Sequence, residues 1–510
     1  MSIASAVDGA VWLNRLLDAL SDPKRSGRTV AIALVLYCAV WTLYAVVSKA
    51  SQDLHFDMGE MVSWSREVGL GTPKHPPLPA WLVGLWFAVL PLRDWAFYLL
   101  SMAMATLALW VAWMIAGRYL DGEKRAAGLA LLTLVPFFNF HAMKYNANSM
   151  LTPTWALTTW FFLRSLDSRS AGVAALAGFA AAAAMLVKYW SIMLLGGLAI
   201  AALADARRAL YFRSPAPYVT VAAGAVALAP HLWWLYDHDF AAFGYALETH
   251  PATFLEAIVS GIAYVAGSAG YVAVPVLLAV AAARPSGEAV VDALWPSDPR
   301  RSTVVVAFVA PLLLPLLAAV LARQQIVSLW AIASMTLLPV VLLSSPLVTL
   351  PRAGAIRILA IAIAVPVVCV VAAPVVALVV HLHGVENYGA HYRLVAERVE
   401  QAWHDTTDRP LRVVGGSSNL LLGSVPYFAE RPSVYEIATP QLTPWVDEAR
   451  IARDGIALYC PAADAVCMRA LNARAARSDV GKRVEADISR TFLGIADPPV
   501  RYVIVTIPPR

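Results

Sequence analysis

The stretch that decides the fold is DLHFDMGEMVSWSREVGLGTPKHPPLPAW, residues 53–81. It holds a tight acidic cluster and then a basic pair in front of two prolines: Asp53, Asp57, Glu60, Lys74 and His75. Long apolar segments lie on both sides of it. In a chain this hydrophobic, such a polar loop predicts a site at a membrane surface.

The composition is that of a polytopic membrane protein. Of the 510 residues, 59% are hydrophobic and only 14% are charged, whereas soluble domains are about 25% charged. A membrane span needs about 20 apolar residues, which predicts eleven spans. They are residues 29–49, 95–117, 126–142, 150–165, 172–188, 190–204, 217–235, 256–282, 303–321, 326–346 and 358–381. The short segment 78–92 is interpreted as a re-entrant or interfacial helix.

The basic residues between these spans predict the orientation. The even-numbered connections carry most of them: Arg118, Lys124, Arg125, Arg164, Arg169, Arg207, Arg208, Arg213, Arg284, Arg300, Arg301, Arg352 and Arg357. Cytoplasmic loops are enriched in Lys and Arg, so the amino terminus is predicted inside and the carboxyl terminus outside. This gives a cytoplasmic leader (1–28), a transmembrane domain (29–383) with an outer loop (50–80) and a periplasmic domain (384–510). Basic residues scattered in this way exclude a nucleic-acid partner.

Residues 384–510 are predicted to form a soluble α/β domain with a mainly parallel sheet. LRVVGG, PSVYEI, GIALYC and VRYVIVTI are typical of short strands, and helical segments alternate with them. An exported location favours a disulfide between Cys460 and Cys467, since the loop is short and the compartment oxidising. The alternative is two free thiols.

The first outer loop supplies the strongest candidate site. Asp57 and Glu60 are three residues apart, so they share one face of a helical turn. Such a pair can hold a proton or a divalent cation, or supply a general base; the alternative is a solvated loop start. Pro76 forces His75 into an extended shape, which presents Lys74 and His75 rigidly toward a phosphate. The alternative for Lys74 is simple snorkelling to the interface.

Other predicted outer ends add candidates. HAMKYNANSM offers Lys144, Asn146 and Asn148 to a sugar or phosphate, or merely caps a helix. LVKYW places Lys188 beside Tyr189, and LARQQ contains Arg323; either cation could bind phosphate or only anchor the interface. HLWWLYDHDF contains metal-binding residue types (His231, Asp237, His238, Asp239), but their spacing matches no strong metal template.

Taken in order, these segments resemble the polyprenyl-phosphate-dependent glycosyltransferases of the GT-C superfamily. The closest branch is family 39, which contains the protein O-mannosyltransferases and the bacterial lipid A aminoarabinose transferases. The resemblance rests on an acidic first outer loop, the PPLPAW helix entry, the GRYLDG turn, a polar outer turn and a Leu-x-Lys element, over residues 29–240.

Three positions depart from the family pattern. The family aspartate falls on Asp57, but Met58 replaces the glutamate that usually follows, and Glu60 is the nearest substitute. The lysine before Pro-Pro falls on His75, and the glutamate before it on Lys74. An outer aspartate falls near Asn148, which argues against tight metal binding. Together with the segment KYNANSM, these departures make the sequence resemble the rhizobial lipid A galacturonic acid transferases.

The resemblance implies an inverting glycosyl transfer at the outer face of a bacterial inner membrane. The donor would be a polyprenyl-phosphate sugar and the acceptor an envelope glycolipid, glycan or protein. Lys74, His75, Lys188 and Arg323 would neutralise the leaving phosphate, and Asp57 would deprotonate the acceptor hydroxyl. No cofactor is required, although Asp57 and Glu60 could hold a divalent cation.

Two other classes of protein compete with this reading. A transporter or flippase of a lipid-linked substrate would also have many spans, but it would carry internal repeats and ionisable residues near the midplane. Here the ionisable residues cluster at one membrane face instead. A non-catalytic envelope-assembly protein would leave the acidic loop and the HPP helix entry without a role.

Overall fold

The computed structural model describes residues 3–67, 69–478 and 481–509. The chain divides into two compact units. We call residues 1–42 with 99–370 the helical unit, and residues 43–98 with 371–510 the α/β unit.

The α-helices and strands follow in chain order. The helices are α1 Ile3–Ser21, α2 Ser26–Ser48, α3 Phe56–Arg66, α4 Leu78–Val89, α5 Asp94–Ala116, α6 Gly122–Thr133, α7 Ala147–Ser168, α8 Ala171–Val187, α9 Ile192–Ala204, α10 Arg208–Phe212, α11 Ala216–Asp237, α12 Ala241–Thr249, α13 Phe254–Ala283, α14 Gly287–Leu294, α15 Pro299–Ala322, α16 Leu338–Leu343, α17 Arg352–His383, α18 Tyr392–His404, α19 Ser418–Ser424, α20 Glu448–Asp454 and α21 Ala465–Ala475. The strands are β1 Val413–Gly416, β2 Ser433–Glu436, β3 Ile456–Pro461, β4 Lys482–Ile488, β5 Thr491–Phe492, β6 Ile495–Ala496 and β7 Val500–Ile507.

Short 3-10 helices connect several of these elements. They are Pro136–Phe138, His141–Met143, Tyr189–Ser191, Ser328–Leu337, Glu386–Tyr388, Val425–Tyr427 and Pro440–Leu442.

Six helices in the described part of the chain are long and apolar enough to cross a membrane: α2, α5, α11, α13, α15 and α17. A seventh span is possible if α6 and residues 136–143, which bend by 78°, count as one. Each of the eleven predicted spans coincides with helical structure, but the number eleven is not confirmed. The segments α8, Tyr189–Ala204 and Ser328–Leu343 are apolar but shorter, and α7 carries Arg164 and Asp167. The segment predicted to be a short interfacial helix is the 12-residue helix α4.

Small residues allow close helix packing in the helical unit. A Cβ atom at Gly178 of α8 would lie 2.3 Å from the carbonyl oxygen of Thr220 in α11 and 2.9 Å from the backbone nitrogen of Gly224. Glycine pairs of this kind let helix backbones approach closely inside a bilayer, where packing rather than the hydrophobic effect drives association. The arrangement fixes α8, whose carboxyl end carries Lys188.

The α/β unit contains a five-stranded mixed sheet of order β2-β1-β3-β7-β4. β1 pairs in parallel with β2 and with β3, whereas β7 pairs antiparallel with β3 and with β4. The prediction of a mainly parallel sheet is therefore wrong, because two of the four pairings are antiparallel. The four predicted strands are confirmed as β1, β2, β3 and β7. Cys460 and Cys467 form a disulfide with their Cα atoms 5.8 Å apart.

The first outer loop belongs to the α/β unit and packs tightly against its helices. A Cβ atom at Gly59 of α3 would lie 1.9 Å from the carbonyl oxygen of Leu422 in α19. Only glycine permits this approach. The acidic residues of α3 therefore lie against the carboxyl-terminal part of the chain, far from them in sequence.

Candidate functional site

Asp57 lies in the first turn of α3 and is accessible. The ring Nδ1 of His55 accepts a hydrogen bond from the Asp57 backbone N–H at 3.1 Å and caps the helix. The Asp57 carboxylate oxygen lies 3.5 Å from the same nitrogen, and its side chain is 22% exposed. A carboxylate at a helix amino terminus is stabilised by the helix dipole. The Asp57 carboxylate is therefore placed where a substrate hydroxyl can reach it.

Glu60 lies one turn further along α3 and has a different environment. Its carboxylate accepts a 2.9 Å hydrogen bond from Nζ of Lys74. The same Nζ lies 3.7 Å from Oε1 of Glu436, at the end of β2. All three side chains are at most 13% exposed. A single cation is thus shared by two buried carboxylates, one from the loop and one from the sheet.

The second carboxylate of this triad is itself held in place. Oε2 of Glu436 accepts hydrogen bonds from the hydroxyls of Ser418, at 2.6 Å, and Thr439, at 2.9 Å. These two bonds leave Oε1 directed toward Lys74. Glu436 is therefore a fixed partner of Lys74 rather than a chance neighbour.

The buried triad perturbs the proton affinity of Glu60. Burial raises the pKa of Glu60 to about 7, because a carboxylate loses its hydration there, and the ammonium of Lys74 opposes that rise. The carboxylates of Asp57 and Glu436 add to it. Glu60 can consequently take up or release a proton near neutral pH.

His75 is oriented by its own loop. The backbone N–H of His75 donates to Oγ1 of Thr72 at 2.9 Å, and the His75 carbonyl accepts from the same hydroxyl at 2.9 Å. Its ring packs edge-on against Trp64, with centroids 5.7 Å apart. The following Pro76 and Pro77 are buried at the entry to α4. These contacts orient His75 within the loop.

Asp53, the first acidic residue of the loop, serves as an anchor. It is 3% exposed. Its carboxylate accepts from Nη1 of Arg490 at 2.9 Å and from the backbone N–H of Arg393 at 3.0 Å. Arg393 also donates to Asp94 at 3.0 Å, and the hydroxyl of Tyr427 accepts from the Leu54 N–H. These bonds tie the start of the loop to α18 and to the segment before β5.

In the helical unit, Lys188 lies at the end of α8 in a partly buried aromatic environment. Its Nζ donates to Oδ1 of Asn148 at 2.8 Å. It also lies 5.3 Å from the ring centroid of Trp330, a cation–π distance. His250 and Trp190 pack edge-on against the same indole. The structure thus brings the predicted residues Lys188 and Asn148 together.

Asn146 has a structural task at the same turn. Its side-chain oxygen accepts from the backbone N–H groups of Asn148 and Ser149 and caps α7. The Ser149 hydroxyl completes the capping box. The helix-cap interpretation, one of the two considered from sequence, describes this residue. Lys144 precedes it in an extended conformation, partly buried.

Tyr189 and His231 form a second pair in the helical unit. The Tyr189 hydroxyl lies 3.0 Å from Nε2 of His231, which is 3% exposed. The Tyr189 ring also stacks on Phe243 at 4.7 Å. Of these aromatic residues, Tyr189 directly follows Lys188 in sequence.

The remaining candidates are exposed. Arg323 ends α15 with a left-handed φ of 50°, and its carbonyl accepts from the Ala252 N–H. Asp237, His238 and Asp239 are also exposed. Within residues 3–67, 69–478 and 481–509, no group of three His, Cys, Asp or Glu side chains is arranged to hold a metal ion.

Sequence reasoning missed Glu436, Arg393 and Arg490, the partners that the α/β unit supplies to the loop. Glu436 could have been noticed, because it is the charged residue at the carboxyl end of the apolar strand PSVYE, and side chains at such strand ends often form sites. The two arginines have no comparable signal, since they lie in polar, charge-rich segments.

Comparison with known proteins identifies the fold. Residues 74–234 match the family model described as dolichyl-phosphate-mannose-protein mannosyltransferase. The crystal structure of ArnT from Cupriavidus metallidurans bound to undecaprenyl phosphate superposes with a TM-score of 0.60 at 15% identity, over 92% of this chain and 97% of that one. The chain has an ArnT-like GT-C fold.

One further structure and one further protein are similar to this chain. The apo form of the same ArnT gives a TM-score of 0.59 at 13% identity, over 93% of this chain and 98% of that one. A lipid A galacturonosyltransferase, RgtD of Rhizobium johnstonii, is 24% identical over 226 residues. That match spans 42% of this chain and less than half of the relative, 44% of its length.

Proposed function

We propose that this protein is a membrane glycosyltransferase that moves a sugar from a polyprenyl-phosphate donor to an acceptor of the cell envelope. The observation that carries the proposal is the GT-C fold over nearly the whole chain, together with the family match that begins at Lys74. The ArnT structure contains bound undecaprenyl phosphate, and RgtD is a lipid A galacturonosyltransferase. We extend both to this chain: a polyprenyl phosphate as carrier and a lipid A-type glycolipid as acceptor.

The chemistry we assign is a direct in-line displacement. The acceptor oxygen attacks C1 of the sugar, the bond from C1 to the phosphate oxygen breaks, and the electron pair leaves with the phosphate. The acceptor proton passes to Asp57, the accessible carboxylate of α3. Attack opposite the leaving group inverts the anomeric centre. A positioned base of this type contributes about 10²- to 10⁴-fold to the rate.

The leaving phosphate needs a cation to balance its charge. Lys74 suits this role poorly, since two carboxylates already share it. Lys188 suits it better, because it follows the last residue of α8, where its Nζ contacts the amide of Asn148 and the indole of Trp330. We therefore assign the phosphate to Lys188, with His75 and Arg323 as secondary candidates, and we assign to Lys74 the task of holding Glu60 and Glu436.

We further propose that transfer takes place on the periplasmic side, in a bacterial inner membrane with the amino terminus inside. The distribution of Lys and Arg between the predicted spans supports this orientation. It places the loop of residues 50–80 and the domain of residues 384–510 outside.

The test is sugar transfer by purified protein reconstituted in lipid vesicles. Radiolabelled polyprenyl-phosphate sugars are supplied with lipid A, with and without a chelator, and both products are followed: glycosylated lipid A and free polyprenyl phosphate. We expect equal amounts of the two products. Donor that crosses a vesicle bilayer without being consumed would identify a flippase and overturn the proposal. If the chelator abolishes transfer, the reaction also requires a divalent cation, which we would place at Asp57 and Glu60.

A further inference from the structure

A small β-hairpin near the carboxyl terminus presents apolar side chains to its surroundings. β5 and β6 pair Thr491 with Ala496 and Phe492 with Ile495, and Leu493 and Gly494 form the turn. Leu493 is 73% exposed and Ile495 is 42% exposed. An exposed apolar residue is by itself ordinary. The backbone conformation at the turn is therefore needed to interpret the exposure of Leu493.

Leu493 has a left-handed backbone conformation. Its φ is +50° and that of Gly494 is +82°. Two-residue hairpin turns of this kind favour Asn-Gly or Asp-Gly, because short polar side chains tolerate positive φ. A branched side chain there costs about 1–2 kcal/mol, and a leucine facing water recovers none of it by burial. The residue choice therefore indicates an apolar environment at the turn.

The hairpin and the residue before it are tied to the ends of two helices that can span a membrane. Nε2 of His381, in the last turn of α17, lies 2.9 Å from the carbonyl oxygen of Ile495. The His381 ring contacts Phe492 at 5.6 Å between centroids. Nη2 of Arg490 donates to the carbonyl of Ala50, two residues after α2 ends.

The two helix ends are themselves level with each other. The hydroxyl of Ser51 donates to the carbonyl of Ala377 in α17 at 2.8 Å. Just beyond that point α17 still exposes apolar side chains, with Val379 at 46% and Leu382 at 58% exposure. Four residues of helix rise only about 6 Å, so His381 and the hairpin lie close to the ends of both helices.

We propose that the hairpin Thr491–Ala496 is a membrane-interface anchor, with Leu493 and Ile495 inserted among the lipid headgroups. Residues 491–496 contain no charged side chain. The nearest charged residues, Arg490 and Asp497, are held by hydrogen bonds, since Asp497 accepts from the Arg490 N–H and from His391. An apolar tip on a polar base is the arrangement expected for interfacial insertion. The partner is the lipid bilayer itself, and the anchor would hold the α/β unit at the membrane surface.

The experiment places a polarity-sensitive fluorophore on the hairpin. The free cysteines Cys38 and Cys369 are replaced by alanine and the Cys460–Cys467 disulfide is kept. Leu493→Cys is then labelled in the full-length protein, which is reconstituted in nanodiscs. We expect blue-shifted emission and strong quenching by lipids that carry a nitroxide near the headgroup. Ile495→Cys provides a second site in case the turn does not tolerate the label.

The matched control is Val466→Cys in α21, an exposed apolar residue of the same unit at 56% exposure. We expect its label to emit as in water and to escape quenching by lipid nitroxides. The proposal is overturned if the Leu493 and Ile495 labels both behave like the Val466 label. It is also overturned if their emission is blue-shifted without lipid quenching, because the hairpin would then face protein.

Discussion

Nζ of Lys74 lies 3.7 Å from Oε1 of Glu436, although one residue belongs to the first outer loop and the other to a strand of the carboxyl-terminal sheet. The same nitrogen is hydrogen-bonded to Glu60. The α/β sheet thus contributes a charge directly to the loop that carries the candidate base, Asp57. Lys74 is consequently assigned to the structure of the loop rather than to the donor phosphate.

Lys74→Met leaves two buried carboxylates without their cation. Removing one partner of a buried ion pair costs about 3 kcal/mol, so we expect a clear fall in the unfolding temperature, measured by scanning fluorimetry in detergent. Adding Glu60→Gln should recover part of the loss. Lys482→Met, which breaks the exposed pair with Asp405, is the control and should change little. Equal stability of the Lys74 and Lys482 variants would contradict the triad.

The raised pKa of Glu60 predicts a pH dependence of stability. Because its pKa is about 7 when folded and 4.5 in the reference state, the folded protein binds more protons than the unfolded chain between these values. Stability therefore falls as pH rises from about 4.5 to 7, by up to about 3 kcal/mol. Glu60→Gln should flatten this slope in pH-dependent unfolding, whereas Glu485→Gln, on the edge strand, should not. If the slope persists in Glu60→Gln, the pH dependence of stability arises from other groups.

Asp53 is predicted to be an anchor rather than a base. Asp53→Asn removes the charge that Arg490 and the Arg393 N–H hold, at a cost of about 3 kcal/mol. Hydrogen exchange measured by mass spectrometry should rise in peptides covering residues 50–56 and 388–395. Asp487→Asn, which breaks an exposed pair with Arg501, should leave these peptides unchanged. Protection that survives in Asp53→Asn would show that the loop is held by other contacts.

Lys188 is predicted to bind the donor phosphate. Lys188→Met should raise the KM for the polyprenyl-phosphate donor by roughly 10- to 100-fold, since a charge-assisted hydrogen bond contributes about 1.5–3 kcal/mol. Arg323→Met is the comparison, because Arg323 is an exposed outer cation, and we expect a smaller effect. If Arg323→Met raises KM more than Lys188→Met does, the assignment of the two cations must be reversed.

Local features of the site could be predicted from the sequence. Helix α3 does place Asp57 and Glu60 one turn apart, and the strands β1, β2, β3 and β7 follow their apolar runs. The edge strand β4 was missed, although KRVEADI alternates charged and apolar residues, which is the pattern of a half-buried strand. The sequence predicts a mainly parallel sheet, but β7 runs antiparallel to β3 and to β4.

Long-range pairing is what the sequence could not reveal. No local pattern connects Lys74 to Glu436 or Asp53 to Arg490, because such contacts depend on how distant segments pack. The eleven spans predicted from composition also exceed the six helices of the described residues that are long and apolar enough to cross a membrane. Segments such as α8 are apolar throughout but have only 17 residues, near the lower limit for crossing a bilayer.

The most direct test of the central claim is sugar transfer by Asp57→Asn beside wild type and Asp487→Asn, at saturating donor and acceptor. Asparagine keeps the shape of Asp57 but cannot accept the acceptor proton. We predict that kcat falls at least 100-fold in Asp57→Asn, with an unchanged unfolding temperature, and that Asp487→Asn matches wild type. Wild-type transfer by Asp57→Asn would contradict the account and transfer the role of base to Glu60.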